Sequence, residues 1–266
     1  MLYDMHCHLD FAFDGPAVAR RLGPDEGACT ATLDPECWRL AVSSFTGCDR
    51  VRVALGLHPW RAADADFEEQ AASFEAFACE CAFIGEIGLD FSARRLESAA
   101  RQREGFSRAV RACMRGDASF AHGIVSIHAV RACDEVVAAF AAAGACEGAD
   151  ERTPASAAGR RLVIHSFNGT SDELHRAVRA GFYFSVGPRM LATKRGRAYA
   201  RAIPVDRLLL ESDMPSHAGG DFSWEAWHAV ADASLATIAE SRGCDAASLG
   251  RVSARTSRDL LGFSGA

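Results

Sequence analysis

The sequence predicts an α/β protein of the (β/α)8, or TIM-barrel, class. Short apolar runs rich in valine, isoleucine, leucine and phenylalanine recur along the 266 residues, and amphipathic helical patterns separate them. Such alternation implies parallel strands joined by right-handed crossovers, and eight units in a chain of this size favour a closed barrel. An open doubly wound sheet is the alternative, but no GxGxxG or GxxxxGK loop follows any predicted strand.

The eight predicted strands follow the apolar runs in chain order. They lie at residues 2–6, 28–33, 51–57, 82–87, 124–128, 162–165, 182–186 and 207–211. The Ala- and Gly-rich segment 144–159 is predicted to be a surface excursion before the sixth strand.

Helices are predicted between the strands from their apolar faces and end signals. Residues 101–115 place Phe106 and Val110 on one helical face, and a similar face follows after residue 227. The stretch from Thr170 to Glu173 is a capping-box opening, and Gly181 is a plausible end for the helix that it starts.

Composition and charge narrow the function classes. The chain is 49% hydrophobic, which suits one domain over residues 1–266 with a sizeable core. A net charge of −6 excludes the broad basic surface of a protein that coats nucleic acid. The densest basic patch, from Lys194 to Arg197 with Arg189 and Arg201 nearby, favours a solvated helix start over a phosphate site. With no membrane-length apolar run and no signal-peptide pattern, we expect a cytoplasmic protein without membrane contact or a stable protein partner.

Two histidines separated by one residue, His6 and His8, end the first predicted strand. On a strand they point to the same side, about 7 Å apart, while Cys7 points away. This geometry suits a metal ion, although chance or core packing is the better explanation of the pair when it is taken alone.

Further titratable residues stand at other predicted strand ends: Glu86, His128, His165 and Asp213. Each has a structural explanation by itself, such as a turn cap, a helix cap or a rim charge. In a barrel, however, these ends converge on one mouth, and burying them together is costly unless a charged group compensates. The joint pattern therefore predicts a divalent-metal site.

Seven motifs, in order along the whole chain, resemble those of the TatD-like metal-dependent hydrolases of the amidohydrolase superfamily. They are DMHCHLD at 4–10, GLHP at 56–59, IGEIGLD at 84–90, IH at 127–128, IHSFNG at 164–169, FSVG at 184–187 and LLLESDMP at 208–215. The GEIGLD and LLLESDMP stretches are the specific ones, whereas HxH alone is not.

The resemblance implies two divalent metal ions, which magnesium, manganese or zinc could supply. His6, His8 and Asp213 would hold one ion. His128 and His165 would hold the other, and Glu86 would bridge the two. Many members of the superfamily use a carboxylated lysine as the bridge, but the only lysine here is Lys194, far from the fourth strand.

The resemblance also implies a phosphodiesterase or deoxyribonuclease that acts on a phosphodiester substrate, possibly DNA ends, through a metal-activated water. Glu86 and Asp213 would be the catalytic residues, and Asp213 would take the proton of the water and relay it to the leaving alkoxide. Four residues are weaker candidates for substrate contact: His58, Ser166, Asn168 and Arg131. For His58, holding the turn before Pro59 is an equal alternative.

Two positions depart from the family pattern, and two other functions remain open. Val130 stands where many relatives carry an arginine, and Thr256 where an asparagine is common. The same type of centre could hydrolyse another ester or amide bond, for example in acyl-tRNA deacylation. The chain could also be a metal-binding scaffold without catalysis, although all six ligand positions are filled.

Overall fold

Eight parallel strands form a nearly closed barrel in the computed structural model, which describes residues 1–115 and 120–263. The strands are β1 Leu2–Cys7, β2 Glu26–Ala31, β3 Val51–Leu57, β4 Phe83–Asp90, β5 Ile124–Val130, β6 Ser156–Ala157, β7 Arg160–His165, β8 Tyr183–Val186 and β9 Leu208–Leu210. The barrel order is β1-β2-β3-β4-β5-β7-β8-β9, and the short β6 pairs antiparallel with β7 at the side. The predicted (β/α)8 class is confirmed.

Helices alternate with the strands and cover the outside of the barrel. They are α1 Gly15–Arg20, α2 Pro35–Ser44, α3 Phe67–Phe77, α4 Ala99–Met114, α5 Cys133–Ala142, α6 Ser171–Arg179, α7 Pro188–Leu191, α8 Lys194–Ala202, α9 Trp224–Arg242 and α10 Ala246–Leu261. The predicted capping box is present at α6, where the Thr170 hydroxyl accepts the backbone N–H of Glu173 and the Glu173 carboxylate accepts that of Thr170.

Strand bounds differ from the prediction where glycine or a turn intervenes. The fourth strand continues to Asp90, because Gly88 lets it approach its neighbour closely. A Cβ added at Gly88 would lie 2.0 Å from the carbonyl oxygen of His128. The predicted excursion 144–159 contains the β6 hairpin, which the sequence analysis missed.

The strands alternate side chains between two apolar layers. Ile127 and Ile164 point outward and join the core between the sheet and the helices. Ile124, Val163 and Leu209 belong to a second cluster inside the barrel, and Leu260, Leu261 and Phe263 at the end of the chain pack against that cluster. Every second residue of a strand therefore faces the interior of the barrel. The inward-facing residues near the two ends of each strand lie at the two openings of the barrel.

Backbone hydrogen bonds connect the first strand to the segment after the last one. The Asp213 N–H donates to the His6 carbonyl at 3.0 Å, and the His8 N–H donates to the Met214 carbonyl at 2.8 Å. The buried Asp4 carboxylate supports this junction by accepting the Ser212 N–H at 3.1 Å and the Trp227 indole N–H at 2.7 Å. One seam of the barrel thus brings His6, His8 and Asp213 together.

No helix in the described parts of the chain is both long and apolar enough to cross a membrane. The assignment of residues 1–266 to one domain stays a prediction.

Candidate metal centre

The carboxyl ends of the strands converge on a buried cluster of histidines and carboxylates. His6 comes from β1, His8 from the position directly after it, Glu86 from β4, His128 from β5, His165 from β7 and Asp213 from the loop after β9. A further histidine, His58, follows β3 directly. All the histidines of this cluster and Glu86 are buried. The structure therefore brings the six predicted ligands to one end of the barrel, while their roles as ligands stay a prediction.

Glu86 lies at the middle of the cluster and divides the imidazoles into two groups. Its Oε2 atom lies 3.4 Å from His6 Nε2 and 3.9 Å from His8 Nε2. Its Oε1 atom lies 2.6 Å from His128 Nδ1 and 2.8 Å from His165 Nε2. Each oxygen thus faces a different pair of histidines, in the same division as the predicted ligand sets.

Asp213 completes the first group with one of its two oxygens. Its Oδ1 atom lies 3.5 Å from His8 Nε2 and 4.0 Å from His6 Nε2. Its Oδ2 atom faces outward and forms a salt bridge with the guanidinium of Arg189 at 3.2 Å. The two oxygens are therefore committed to different neighbours.

The outer nitrogens of the imidazoles determine which atoms remain available to a cation. His8 Nδ1 lies 3.0 Å from the Ala31 carbonyl, and His128 Nε2 lies 3.2 Å from Asp90 Oδ2. Because these oxygens only accept, both outer nitrogens carry a proton, and each inner nitrogen can bind a cation once it holds no proton of its own. His6 Nδ1 lies 2.7 Å from the Ser126 hydroxyl, which can donate or accept, so this contact does not fix the proton position of His6.

One atom tests directly whether the cluster suits a cation. His6 Nε2 is buried and has no hydrogen-bonding partner among the described residues. An unpaired buried polar atom is costly, and a metal ion at this point would satisfy it. The inner nitrogen of His6, the inner nitrogen of His8 and a carboxylate oxygen of Glu86 lie within 4.8 Å of one another. This group can hold a metal ion.

The electrostatics of the cluster favour the same conclusion. Burial opposes ionisation of Glu86, but the surrounding imidazoles hold the pKa of its carboxyl well below its usual range. Burial also opposes protonation of His128 and His165, yet the Glu86 carboxylate raises the pKa of both. In the absence of metal, the imidazole nitrogens of His128 and His165 that face Glu86 are therefore protonated more readily than those of a free histidine. A divalent cation would compete with those protons for the same atoms.

His58 differs from the other histidines because its lone pair points away from the centre. Its Nδ1 atom accepts the Trp60 backbone N–H at 3.1 Å, so the proton of the neutral ring lies on Nε2. That N–H faces Glu86 Oε2 at 3.3 Å. Burial lowers the pKa of His58 to about 4, which keeps the ring neutral. The spacing of His58, Glu86 and His128 also suits a metal ion, but the N–H on Nε2 indicates a hydrogen-bond donor instead.

The cluster opens into a narrow cavity of about 70 Å³. Phe11 and Trp60 form two of its walls, and the Phe11 ring stacks on His8 with the centroids 4.8 Å apart. Among the described lining residues, Arg189 is the only arginine or lysine. The cavity therefore combines a buried anionic centre, apolar walls and one exposed cation at its rim.

Comparison with known proteins gives the family. The model of the family described as TatD related DNase matches residues 3–262. The chain belongs to the TatD related DNase family. The predicted TatD-like hydrolase is thereby confirmed at the level of the family, and a DNase is a hydrolase of phosphodiester bonds.

Relatives within the TatD family differ in how much of the chain they match. The 3'-5' ssDNA/RNA exonuclease TatD of Dickeya dadantii is 32% identical, over 75% of this chain and 70% of its own length. The deoxyribonuclease TATDN3 of Homo sapiens is 24% identical, over 81% and 78%. The deoxyribonuclease Tat-D of Schizosaccharomyces pombe is 41% identical, but only over 24% of this chain and 22% of its own length.

Solved structures of TatD homologues share the fold. The crystal structure of YJJV, a TatD homologue from Escherichia coli, superposes with a TM-score of 0.76 at 20% identity and covers 98% of both chains. A TatD family hydrolase from Entamoeba histolytica gives a TM-score of 0.71 at 14% identity, over 99% of this chain and 98% of that one.

The weaker predictions of substrate contact fall outside the cavity of this TatD family protein. Ser166 follows His165 with a positive φ of 44°, and the Asn168 amide lies 3.5 Å from the Ser166 carbonyl. Arg131 is exposed in the loop after β5. None of these three lines the cavity, and their roles stay predictions. His58 does line it, and it also caps the turn that begins at Pro59, so both of its expected placements are observed.

Two residues at the centre were missed by sequence analysis. Asp90 lies within the GEIGLD motif, but only the geometry shows that its Oδ2 atom accepts from both His128 and Trp60. Arg189 was grouped with a solvated basic patch, although it follows a strand end as the ligands do. Its position after β8 was the signal that could have placed it at the mouth.

Proposed function

We propose that this protein is a hydrolase of phosphodiester bonds that uses two divalent metal ions and acts on the ends of nucleic acids. The observation that carries the proposal is the arrangement around Glu86, where inner nitrogens of two histidine pairs face its two carboxylate oxygens. The names of the relatives from Dickeya dadantii and Homo sapiens support a nucleic-acid substrate.

We assign His6, His8 and Asp213 to one ion. His128 and His165 belong to the other, with Glu86 between them. When bound, such ions polarise a phosphoryl oxygen and lower the pKa of a water molecule. Imidazole-rich ligand sets suit zinc or manganese better than magnesium.

The side chains of the chain itself supply binding and proton transfer. Asp213 is the proposed general base, because its Oδ1 atom faces the centre and its carboxylate stays ionised. Burial opposes that ionisation, but the contacts with His8 and other cationic neighbours hold the pKa of Asp213 below its usual range. Arg189 lies at the rim of the cavity with 63% of its side chain exposed. It can give up its salt bridge with Asp213 and bind a phosphate oxygen of the substrate instead.

The cavity walls orient the substrate and limit water. Phe11 and Trp60 offer faces on which a nucleobase can stack beside the reacting phosphate. The His58 N–H, held toward Glu86 by the bond from Trp60, keeps the carboxylate in place without adding a charge.

The test compares metal-loaded and chelator-treated protein on end-labelled single-stranded DNA, a generic phosphodiester and a carboxyl ester. We expect loaded protein to cleave DNA and the phosphodiester but not the ester, and Asp213→Asn to lose activity by about 10²-fold or more. Equal activity after metal removal, or preferential ester cleavage, would contradict the proposal. Readdition of magnesium, manganese and zinc in turn identifies the metal.

A further inference from the structure

A second cavity, of about 430 Å³, opens at the amino end of the barrel, opposite the metal centre. Its lining includes Arg161 and Tyr183 near the starts of β7 and β8, Arg207 directly before β9, and Thr256 and Asp259 of α10. Thr256, one of the departures from the family pattern, therefore lies here and not at the metal centre.

Strand alternation explains why polar groups point into this cavity. Arg161 shares the inward face of β7 with Val163 and His165, since alternate residues of a strand face the same side. Tyr183 belongs to the cluster inside the barrel as the first residue of β8. The same inward faces that carry ligands to one end thus carry a guanidinium and a phenol to the other.

Three groups that can donate hydrogen bonds in this cavity have no acceptor among the residues that the structure describes. In residues 1–115 and 120–263, no hydrogen bond or ion pair engages the guanidinium of Arg161 or the hydroxyl groups of Tyr183 and Thr256. Free donors that converge on one cavity are the arrangement that recognises an anion with several oxygens.

Arg207 adds a buried positive charge at the depth of the cavity. It is only 2% exposed, and its guanidinium donates to the carbonyls of Gly181 at 2.7 Å and Glu151 at 3.3 Å. None of the carboxylates in the described chain pairs with it. Carbonyl dipoles offset part of the cost of burying a cation, but no full negative charge balances it.

The two carboxylates of the cavity lie at its rim. Asp206 and Asp259 are exposed, and Asp259 lies 3.7 Å from Arg258. The cavity is therefore cationic at its depth, where Arg207 and Tyr183 are buried, while its opening carries Asp206 and Asp259 together with the exposed guanidinium of Arg152. A ligand with an anionic group at one end and hydrogen-bond donors at the other matches this order.

We propose that this cavity binds a nucleoside monophosphate, with its phosphate against Arg161 and Arg207 and its sugar or base toward Asp206 and Asp259. Guanidinium groups bind phosphate oxygens through charge-assisted hydrogen bonds. The rim carboxylates accept from sugar hydroxyl or base amino groups. The volume lies within the usual range for small-molecule sites, about 300–1,000 Å³. The proposal does not rest on the proposed hydrolase activity, because it uses none of the residues of the metal centre.

The experiment uses chelator-treated protein of residues 1–266 carrying Glu86→Gln, so that the metal centre neither binds nor hydrolyses the probe. Calorimetric titrations use deoxyadenosine monophosphate, inorganic phosphate and deoxyadenosine. We expect the monophosphate to bind saturably, at least about tenfold more tightly than either fragment. Equal affinity for inorganic phosphate, or no saturable binding up to about 10 mM, would overturn the proposal.

The test substitution is Arg161→Gln, because Arg161 is half-buried and has no partner in the described chain whose loss would unfold the protein. It should weaken monophosphate binding about tenfold or more, the usual effect of losing a charged hydrogen bond. Arg255→Gln is the matched control, since Arg255 is exposed on α10 beside Thr256 but does not line the cavity. Equal affinities of the Arg161→Gln and Arg255→Gln proteins would refute the site. In the background with Glu86 intact, Arg161→Gln should leave DNA hydrolysis within about twofold of the original rate.

Discussion

The two ends of the barrel present opposite chemistry although the same strands form both. At the carboxyl end, imidazole nitrogens and carboxylate oxygens point inward, and this set of ligand atoms suits cations. At the amino end, guanidinium and hydroxyl donors point inward, and the cavity suits an anion. On β7 the two ends are four residues apart, about 13 Å along the strand, with Val163 of the apolar layer between His165 and Arg161.

This contrast shows that the barrel determines where polar groups meet but not which charge they attract. Both ends gather residues from strands that are distant in sequence. The side chains then decide the ligand, because acceptors select metal ions and donors select phosphate oxygens. Each end should therefore respond to substitutions at that end alone.

The largest expected effect comes from Glu86→Gln at the carboxyl end. The amide keeps the size of the side chain but removes the negative charge that both histidine pairs face. We expect the hydrolysis rate with saturating metal to fall by at least about 10³-fold, since metal-ion catalysis supplies several kcal/mol.

Metal content measured by plasma emission should fall in parallel with the rate. The free energy of unfolding, measured with urea, separates this loss from misfolding. A variant that keeps both bound metal and rate would show that Glu86 is not the shared carboxylate.

A smaller effect is expected from Asp90→Asn, which acts on the centre through His128. Asp90 accepts with both oxygens, from His128 and Trp60 through Oδ2 and from the Ser92 N–H through Oδ1. An amide would have to turn its NH2 group toward one of these donors, which weakens the contact that orients His128. Substitutions at such supporting positions typically weaken metal affinity about 10–100-fold.

Titration of the metal-free protein with zinc or manganese measures this affinity, and the maximal rate at saturating metal should recover largely. Asp134→Asn is the control, because Asp134 pairs with Arg176 on the outer surface. Unchanged affinity in Asp90→Asn would mean that the orientation of His128 does not depend on Asp90.

The smallest effect concerns His58 and the pH dependence of stability. Burial lowers its pKa to about 4 in the folded protein, below the ordinary value of 6.5. Between these values the unfolded chain binds more protons, so the contribution of His58 to stability is present above pH 6.5 and is lost as pH falls toward 4.

His58→Gln should therefore reduce the difference in unfolding free energy of the metal-free protein between pH 7 and pH 5 by about 1–2 kcal/mol. Urea unfolding at both values measures the difference. An unchanged difference would show that the pKa of His58 is the same in the folded and unfolded protein.

More of the site residues could be predicted from the sequence at the carboxyl end of the barrel than at its amino end. His6, His8 and Glu86 could be placed because each is a titratable residue at the end of an apolar run. Arg161 could not, since an arginine at the start of a strand has the same appearance as a solvated flank. The direction of the His58 lone pair was equally out of reach, because it depends on the backbone N–H of Trp60.

The inward face of β7 also constrains how this chain can change over evolutionary time. Losing or gaining one codon between Arg161 and His165 would exchange inward-facing and outward-facing residues along part of the strand. Arg161 would then leave the cavity at the amino end, or His165 would leave the metal centre at the carboxyl end, or both. Connections outside the barrel that line neither cavity can, by contrast, vary in length without moving either group. Length variation is therefore expected in the connections, while the strand evolves by substitution.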